Sequence, residues 1–258
     1  MMTVEIRNLT TGYSTRHGLV EIEKDLTANL NSGELTCLLG PNGAGKSTLL
    51  RTLAGFQMPL HGVVMIHGRE LRQYSQAELS RKLGVVLTDK PDVTAMTVQQ
   101  LVALGRSPYT GFWGRLSGAA RRAVTNAMTL AHVDALADRL VSTLSDGERQ
   151  KVMIAKALAQ DTPVILLDEP TAFLDFQSKV ETMVILRDLA AKENKTVFMS
   201  THDVNMALQL ADRIWLVDKE KGVSTGTPSQ LAEAGDLRRY FQGPGIHFNK
   251  STGLFDIV

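Results

Sequence analysis

The run Gly40-Pro41-Asn42-Gly43-Ala44-Gly45-Lys46-Ser47-Thr48 constrains this chain more than any other stretch. It matches the phosphate-loop pattern Gly-x4-Gly-Lys-Ser/Thr, whose glycines let the backbone curl until successive amides point inward at a β-phosphate. Lys46 supplies a point charge for the β- and γ-phosphates, and Ser47 a hydroxyl ligand for magnesium. The pattern arises by chance in ~1% of chains of this length, and its chemistry needs a strand before it and a helix after it. Both flanks comply. LTCLLG (35–40) reads as a short buried strand, and STLLRTLAG as a helix with Gly55 where a C-cap belongs.

The rest of the chain extends that strand–helix frame. VEIRNLTTGYS and LVEIEKDLTANL mix alternation with turn residues and read as antiparallel strands, and GVVMIHGREL (62–71) as one further strand. From about 88 to 160 the pattern turns helical, through TVQQLVALGR, SGAARRAVTNAMTLAHV and ERQKVMIAKALAQ. That predicts a helical insert at 88–160 inside an α/β frame. TPVILLDEP, TVFMSTHD and RIWLVD then alternate as strands with the helices SKVETMVILRDLAAKE and VNMALQLA. Continuous apolar strands alternating with helices predict an α/β fold with a parallel sheet covered on both faces. Residues 219–258 are rich in Gly and Pro and form a C-terminal extension, with FNKSTGLFDIV a candidate terminal hairpin.

Two carboxylates, Asp168 and Glu169, close VILLDE where a parallel strand's carboxyl end faces a ligand crevice. Asp168 is placed to hold magnesium, since hard cations take oxygen ligands. Glu169 is placed to orient or deprotonate the water that attacks a γ-phosphate. His202 ends another predicted strand, where its imidazole can hydrogen-bond the γ-phosphate or that water. A third anion signal lies in STLSDGERQK (142–151): Ser145 is a natural N-cap and Glu148, three residues on, completes a capping box. A helix start of the form Ser-x-Gly, here Ser145 and Gly147, also offers a hydroxyl, amides and a positive dipole end to an anion.

Charge excludes one class of partner. Lys plus Arg is 28 against 27 Asp plus Glu, without the basic excess of a nucleic-acid binder. The single cysteine, Cys37, lies in an apolar strand and reads as a core residue, which favours a reducing compartment. The N-terminus lacks a signal-peptide pattern and no apolar run has the length of a membrane span. A soluble cytoplasmic protein is expected, with room for a membrane partner.

In order, the phosphate loop, helical insert, Leu144–Glu148, VILLDE and His202 resemble the ATP-binding subunits of ABC transporters, over roughly residues 2–230. The resemblance implies one ABC ATPase domain over 1–258: a phosphate-loop NTPase core, an N-terminal antiparallel β subdomain and the helical insert. It implies ATP and Mg2+ as ligands. Leu144–Glu148 looks like the family's signature motif, with Asp146 and Glu148 departing from its commonest Gly and Gln; the resemblance brings Ser145, Gly147 and Glu148 to the nucleotide. Ala172–Asp175 is similar to the loop between the two ATP sites, which carries Asp175, and Tyr13 matches the aromatic that stacks on adenine. Where the family has a glutamine ligand to magnesium, this chain has Thr88, too short to span the gap; Asp89 or a bridging water is left to complete the site.

Met96–Tyr109 and 201–217 are similar to importer ATPases for iron-siderophore, haem and cobalamin. That branch implies a homodimer beneath two integral-membrane permease subunits, fed indirectly by a substrate-binding protein, at the cytoplasmic face of the inner membrane. The alternative is a soluble ABC ATPase outside transport, as in iron–sulfur cluster assembly. A GTPase would want Asn-Lys-x-Asp, and Asn194-Lys195-Thr196-Val197 lacks the aspartate.

Overall fold

The computed structural model describes residues 1–257 except 16, 17, 88–92, 94 and 112–114. Two long strands, β1 (Met2–Thr15) and β2 (Gly18–Asn31), lead to β3 (Leu35–Leu39) and helix α1 (Lys46–Leu53). β4 (His61–Ile66), β5 (Arg69–Glu70), the short α2 (Gln76–Leu79) and β6 (Leu83–Val86) follow. Then come α3 (Val98–Ala103), α4 (Gly118–Leu130) and α5 (Asp146–Ala159), and after them β7 (Val164–Leu167) and α6 (Phe176–Glu193). The chain continues through β8 (Thr196–Ser200), α7 (Val204–Leu210), β9 (Arg213–Asp218) and β10 (Gly222–Gly226). It finishes with α8 (Pro228–Glu233), α9 (Asp236–Phe241), β11 (Ile246–Asn249) and β12 (Leu254–Ile257).

The central sheet has the order β10-β9-β3-β8-β7-β6. Its β9-β3-β8-β7-β6 part is parallel, and β10 closes one edge antiparallel. Side chains alternate across a strand, and here each alternation feeds a different core. Cys37, Leu39, Ile165, Leu167, Val197 and Met199 point to the face covered by helices such as α5 and α6. Leu38, Val164, Leu166, Phe198 and Trp215 point to the opposite face, with α1 and the antiparallel sheet β2-β1-β4-β5. Apolar residues on both faces explain the unbroken hydrophobic runs. Cys37 is fully buried, and burial pushes its thiol up to about 12, so it packs as a core residue.

One sequence expectation is corrected. GVVMIHGREL is two strands, because Met65 pairs with Glu70 and Ile66 with Arg69 around a turn at His67 and Gly68. Those two residues have φ of 49° and 77°, the left-handed pair a two-residue hairpin needs. A histidine in place of the usual Asn conceals the signal.

The C-terminal segment forms α8, α9 and the hairpin β11–β12. Asn205 on α7 fastens that hairpin: its Nδ2 donates to Phe255 O at 2.9 Å, and Phe255 N donates to its Oδ1 at 2.8 Å. Among the described residues no helix is long and apolar enough to cross a membrane.

Candidate functional site

Parallel strands deliver their carboxyl ends to one edge, and the register keeps those ends level. Leu38 pairs with Ser200 and Leu167 with Met199, so the residues that follow β3, β7 and β8 emerge side by side. These are Gly40, Asp168 with Glu169, and Thr201 with His202.

The loop after β3 can fold only with its glycines. A Cβ on Gly40 would lie 2.2 Å from Val217 O, and one on Gly45, whose φ is 101°, 2.1 Å from Ile22 Cγ2. The loop is therefore pressed against β9 on one side and β2 on the other. α1 starts at Lys46 without a side-chain cap, leaving its first amides for an anion. Lys46 is buried and donates from Nζ to Gly40 O at 2.9 Å and Pro41 O at 3.1 Å. Burial lowers its pKa, while the Glu169 and Asp168 carboxylates pull the other way. A cavity of about 440 Å³ opens above the loop, lined by Asn42, Gly43, Gly45, Lys46, Ser47 and Thr48 with Tyr13, Ile22, Glu169 and Lys219. Tyr13 stands at its rim, 48% exposed.

The acidic wall is organised by a residue that sequence reasoning missed. Ser200 Oγ donates to Asp168 Oδ1 at 2.7 Å and accepts from Glu169 N at 2.9 Å. It fixes both carboxylates from the neighbouring strand. Glu169 has φ of 50°, a left-handed conformation costly for a non-glycine residue. Its Oε1 lies 2.7 Å from His202 Nε2. Glu169 also lines a second cavity of about 470 Å³ with Thr171, Phe173, Lys179, His202 and Asp203. The pair thus stands between the phosphate loop and the surface beyond it. Ser47 and Asp168 are oxygen donors of the kind a hard cation takes. Thr88 and Asp89 lie outside the described residues.

The helix α5 begins as its sequence predicts. Ser145 Oγ accepts from Glu148 N at 3.2 Å and Glu148 Oε2 accepts from Ser145 N at 2.8 Å. Arg139 donates to Glu148 Oε1 at 2.9 Å and to Thr143 O at 2.7 Å. The Glu148 carboxylate, held below the usual carboxylate range mainly by the Ser145 amide, is committed to this network. It positions Ser145, whose amide and hydroxyl both interact with the Glu148 carboxylate. Asp146 is exposed.

Gly147 is buried against the start of α6, where a Cβ would meet Ser178 Oγ at 2.5 Å. Ser178 N in turn donates to Asp175 Oδ1 at 2.8 Å, so Asp175 caps α6. The aspartate ahead of a helical run is the signal for that cap. Ser145, Gly147 and Asp175 thus form a second cluster, and none of them is among the residues lining the phosphate-loop cavity.

The ABC transporter family profile matches residues 23–172, from within β2 through the phosphate loop to the turn after Asp168 and Glu169. The chain belongs to the ABC transporter family. It is 36% identical to the ferric enterobactin transport ATP-binding protein FepC of Escherichia coli over 233 residues, 90% of this chain and 84% of FepC. Among solved structures, it is similar to a transporter described as of metal-chelate type in an inward-facing conformation. The TM-score is 0.80 at 28% identity, over 99% of this chain and 96% of that one. It is also similar to a dimeric ATP-binding cassette in a post-hydrolysis state with ADP and Pi, at TM-score 0.74 and 30% identity, over 87% and 98% of the two chains. This ABC cassette is an ATP-binding ATPase. Its fold is the family's α/β fold with an antiparallel N-terminal sheet.

Proposed function

We propose that this chain is the ATP-hydrolysing subunit of an importer that takes up iron-siderophore, haem or cobalamin through a membrane permease. The observation that carries the mechanism is the split between two clusters. The phosphate loop with Asp168, Glu169 and His202 lies in one place, and Ser145, Gly147 and Asp175 lie in another. A second copy supplies what each lacks. Two chains sandwich two ATP molecules, each between one chain's Gly40–Thr48 and the other chain's Ser145 and Gly147. The dimeric cassette with ADP and Pi supports that arrangement.

In this reading Lys46 exchanges its two backbone carbonyls for phosphate oxygens, and Tyr13 stacks on adenine at the cavity rim. Ser47 and Asp168 hold Mg2+, which when bound neutralises charge on the phosphates. By the resemblance, Thr88 takes the glutamine's place at that metal site, with Asp89 or a bridging water to complete it. Glu169 accepts a proton from the attacking water, and His202 fixes the Glu169 carboxylate through their 2.7 Å contact. Closed-dimer contacts exist only with ATP present, so binding drives closure and hydrolysis releases it. The domain spans 1–258, with 88–160 as the helical part that meets the permease and 219–258 as an extension.

The substrate class rests on the similarity to FepC and to the metal-chelate transporter, and no comparison favours the iron–sulfur assembly alternative. The partners are then integral-membrane permease subunits and, indirectly, a substrate-binding protein, with the cassette peripheral to the cytoplasmic face of the inner membrane. Two experiments test this. Lys46→Ala should lose nucleotide affinity and turnover together; unchanged turnover removes the phosphate-loop assignment. Co-purification with a many-span permease, followed by uptake of ferric siderophore, haem or cobalamin in vesicles, tests the importer. Failure to transport all three overturns the substrate class.

A further inference from the structure

Behind the phosphate-loop cavity lies a carboxylic acid outside the cavity's lining. Glu23 on β2 is 3% exposed, and its Oε1 has no hydrogen-bond partner among the described residues. A buried carboxylate oxygen without a partner is costly for a fold to carry. Its orientation results from a bulge. Thr11 pairs with Glu23 and Gly12 with Glu21, so β2 carries one extra residue, Ile22, against β1. Strict alternation would place Glu21 and Glu23 on one face; the two differ, with Glu21 exposed and Glu23 buried. Bulges of this kind re-aim a side chain and are over-represented beside active sites.

The bulge packs directly on the phosphate loop. Ile22 lines the nucleotide cavity, and a Cβ on Gly45 would lie 3.9 Å from Glu23 Cγ. Opposite Glu23, the Thr11 hydroxyl is also buried and without a partner among the described residues.

Among the described residues, no ion pair or hydrogen bond to Glu23 Oε1 is formed. β8 and β10, which also pack on β2, carry no ionisable side chain. Lys46, next to Gly45, directs its ammonium to the Gly40 and Pro41 carbonyls. After β9, Asp218 adds a like charge and Lys219 lines the cavity. Desolvation first, and Asp218 second, push the Glu23 carboxyl up to about 7.

We propose that Glu23 is the proton-exchanging residue of the nucleotide site, kept as a neutral acid when the phosphate loop is filled, so that nucleotide binds together with a proton. The proposal rests on Gly40–Thr48 being the ATP site. Phosphate charge across the Ile22–Gly45 wall disfavours the Glu23 carboxylate further. Near neutral pH the bound state therefore holds more protons than the empty one, and affinity falls as pH rises. The proton comes from solvent; no bond other than O–H is made.

The test is calorimetric titration of the full chain with ADP, without Mg2+, in buffers of different ionisation enthalpy from pH 6.5 to 8.5. The phosphates, Lys46 and the Glu169–His202 pair contribute alike to wild type and Glu23→Gln, so the difference isolates Glu23. Wild type should take up more protons than Glu23→Gln at pH 7.5, and lose about tenfold more affinity across the range. Equal proton uptake and equal slopes overturn the proposal. ADP that binds neither protein overturns the ATP-site assignment instead, a separate outcome. Infrared difference spectra of unmutated protein provide a check that needs no variant: ADP at pH 7.5 should increase the protonated-carboxyl C=O band. Absence of that increase also overturns the proposal.

Discussion

Ser200 Oγ lies 2.7 Å from Asp168 Oδ1, one strand across from the carboxylate it orients. Because the same oxygen accepts from Glu169 N, Ser200→Ala releases the proposed metal ligand Asp168 and the backbone of the proposed base together. Turnover should fall roughly tenfold and stability by about 1–2 kcal/mol, since a buried partner is left unsatisfied. Nucleotide affinity measured without Mg2+ should hold. A drop in that affinity would move the role of Ser200 from the acidic wall to the loop.

Glu169→Gln keeps the shape of the side chain and removes its basicity. Hydrolysis should fall by about 10²–10⁴-fold, while ATP binding persists and the protein accumulates as a dimer. Light scattering with ATP and Mg2+ checks this. A variant that stays monomeric argues against the sandwich.

At α5 two substitutions separate structure from function. Ser145→Ala removes the cap and should cost about 1 kcal/mol in chemical denaturation. Ser145→Arg should abolish hydrolysis yet leave ATP binding by the single chain near wild type, because Ser145 does not line that chain's own cavity. Lost monomer binding in the arginine variant would contradict the two-cluster arrangement.

Glu23 also shapes stability against pH. Its folded pKa, about 7, lies above the model-peptide value of 4.5, so the folded state holds the extra proton between them. Its contribution is intact below about 4.5 and is lost as pH rises through about 7. Glu23→Gln should therefore match wild type near pH 4 and exceed it at pH 8 by on the order of 3 kcal/mol. Denaturant melts at the two pH values measure this, and an equal offset at both contradicts it.

Much of the site was legible because its chemistry is linear in the chain. The phosphate loop, the Asp168–Glu169 strand end and the Ser145–Glu148 box each complete themselves within a few residues, and the apolar strands revealed the sheet that aligns them. What escaped depends on register between distant segments. Ser200 reads as an ordinary strand-end serine until β8 is set beside β7. Ile22 and Lys219 meet the loop only after folding. Glu23 sits in VEIEK, whose alternation assigns it to the same side as Glu21, and one extra residue against β1 reverses that.

The Asn205 clasp connects a far corner of the molecule to the chemistry. It ties Phe255 to the helix that begins just after His202. Cys37 is the chain's single cysteine and is buried, with its thiol pushed up to about 12. A cysteine introduced at exposed Asp256, next to the clasp, would therefore be labelled selectively by a thiol-reactive dye. Such a dye would follow movement of the helix that begins beside His202 from a position outside the residues lining the phosphate-loop cavity.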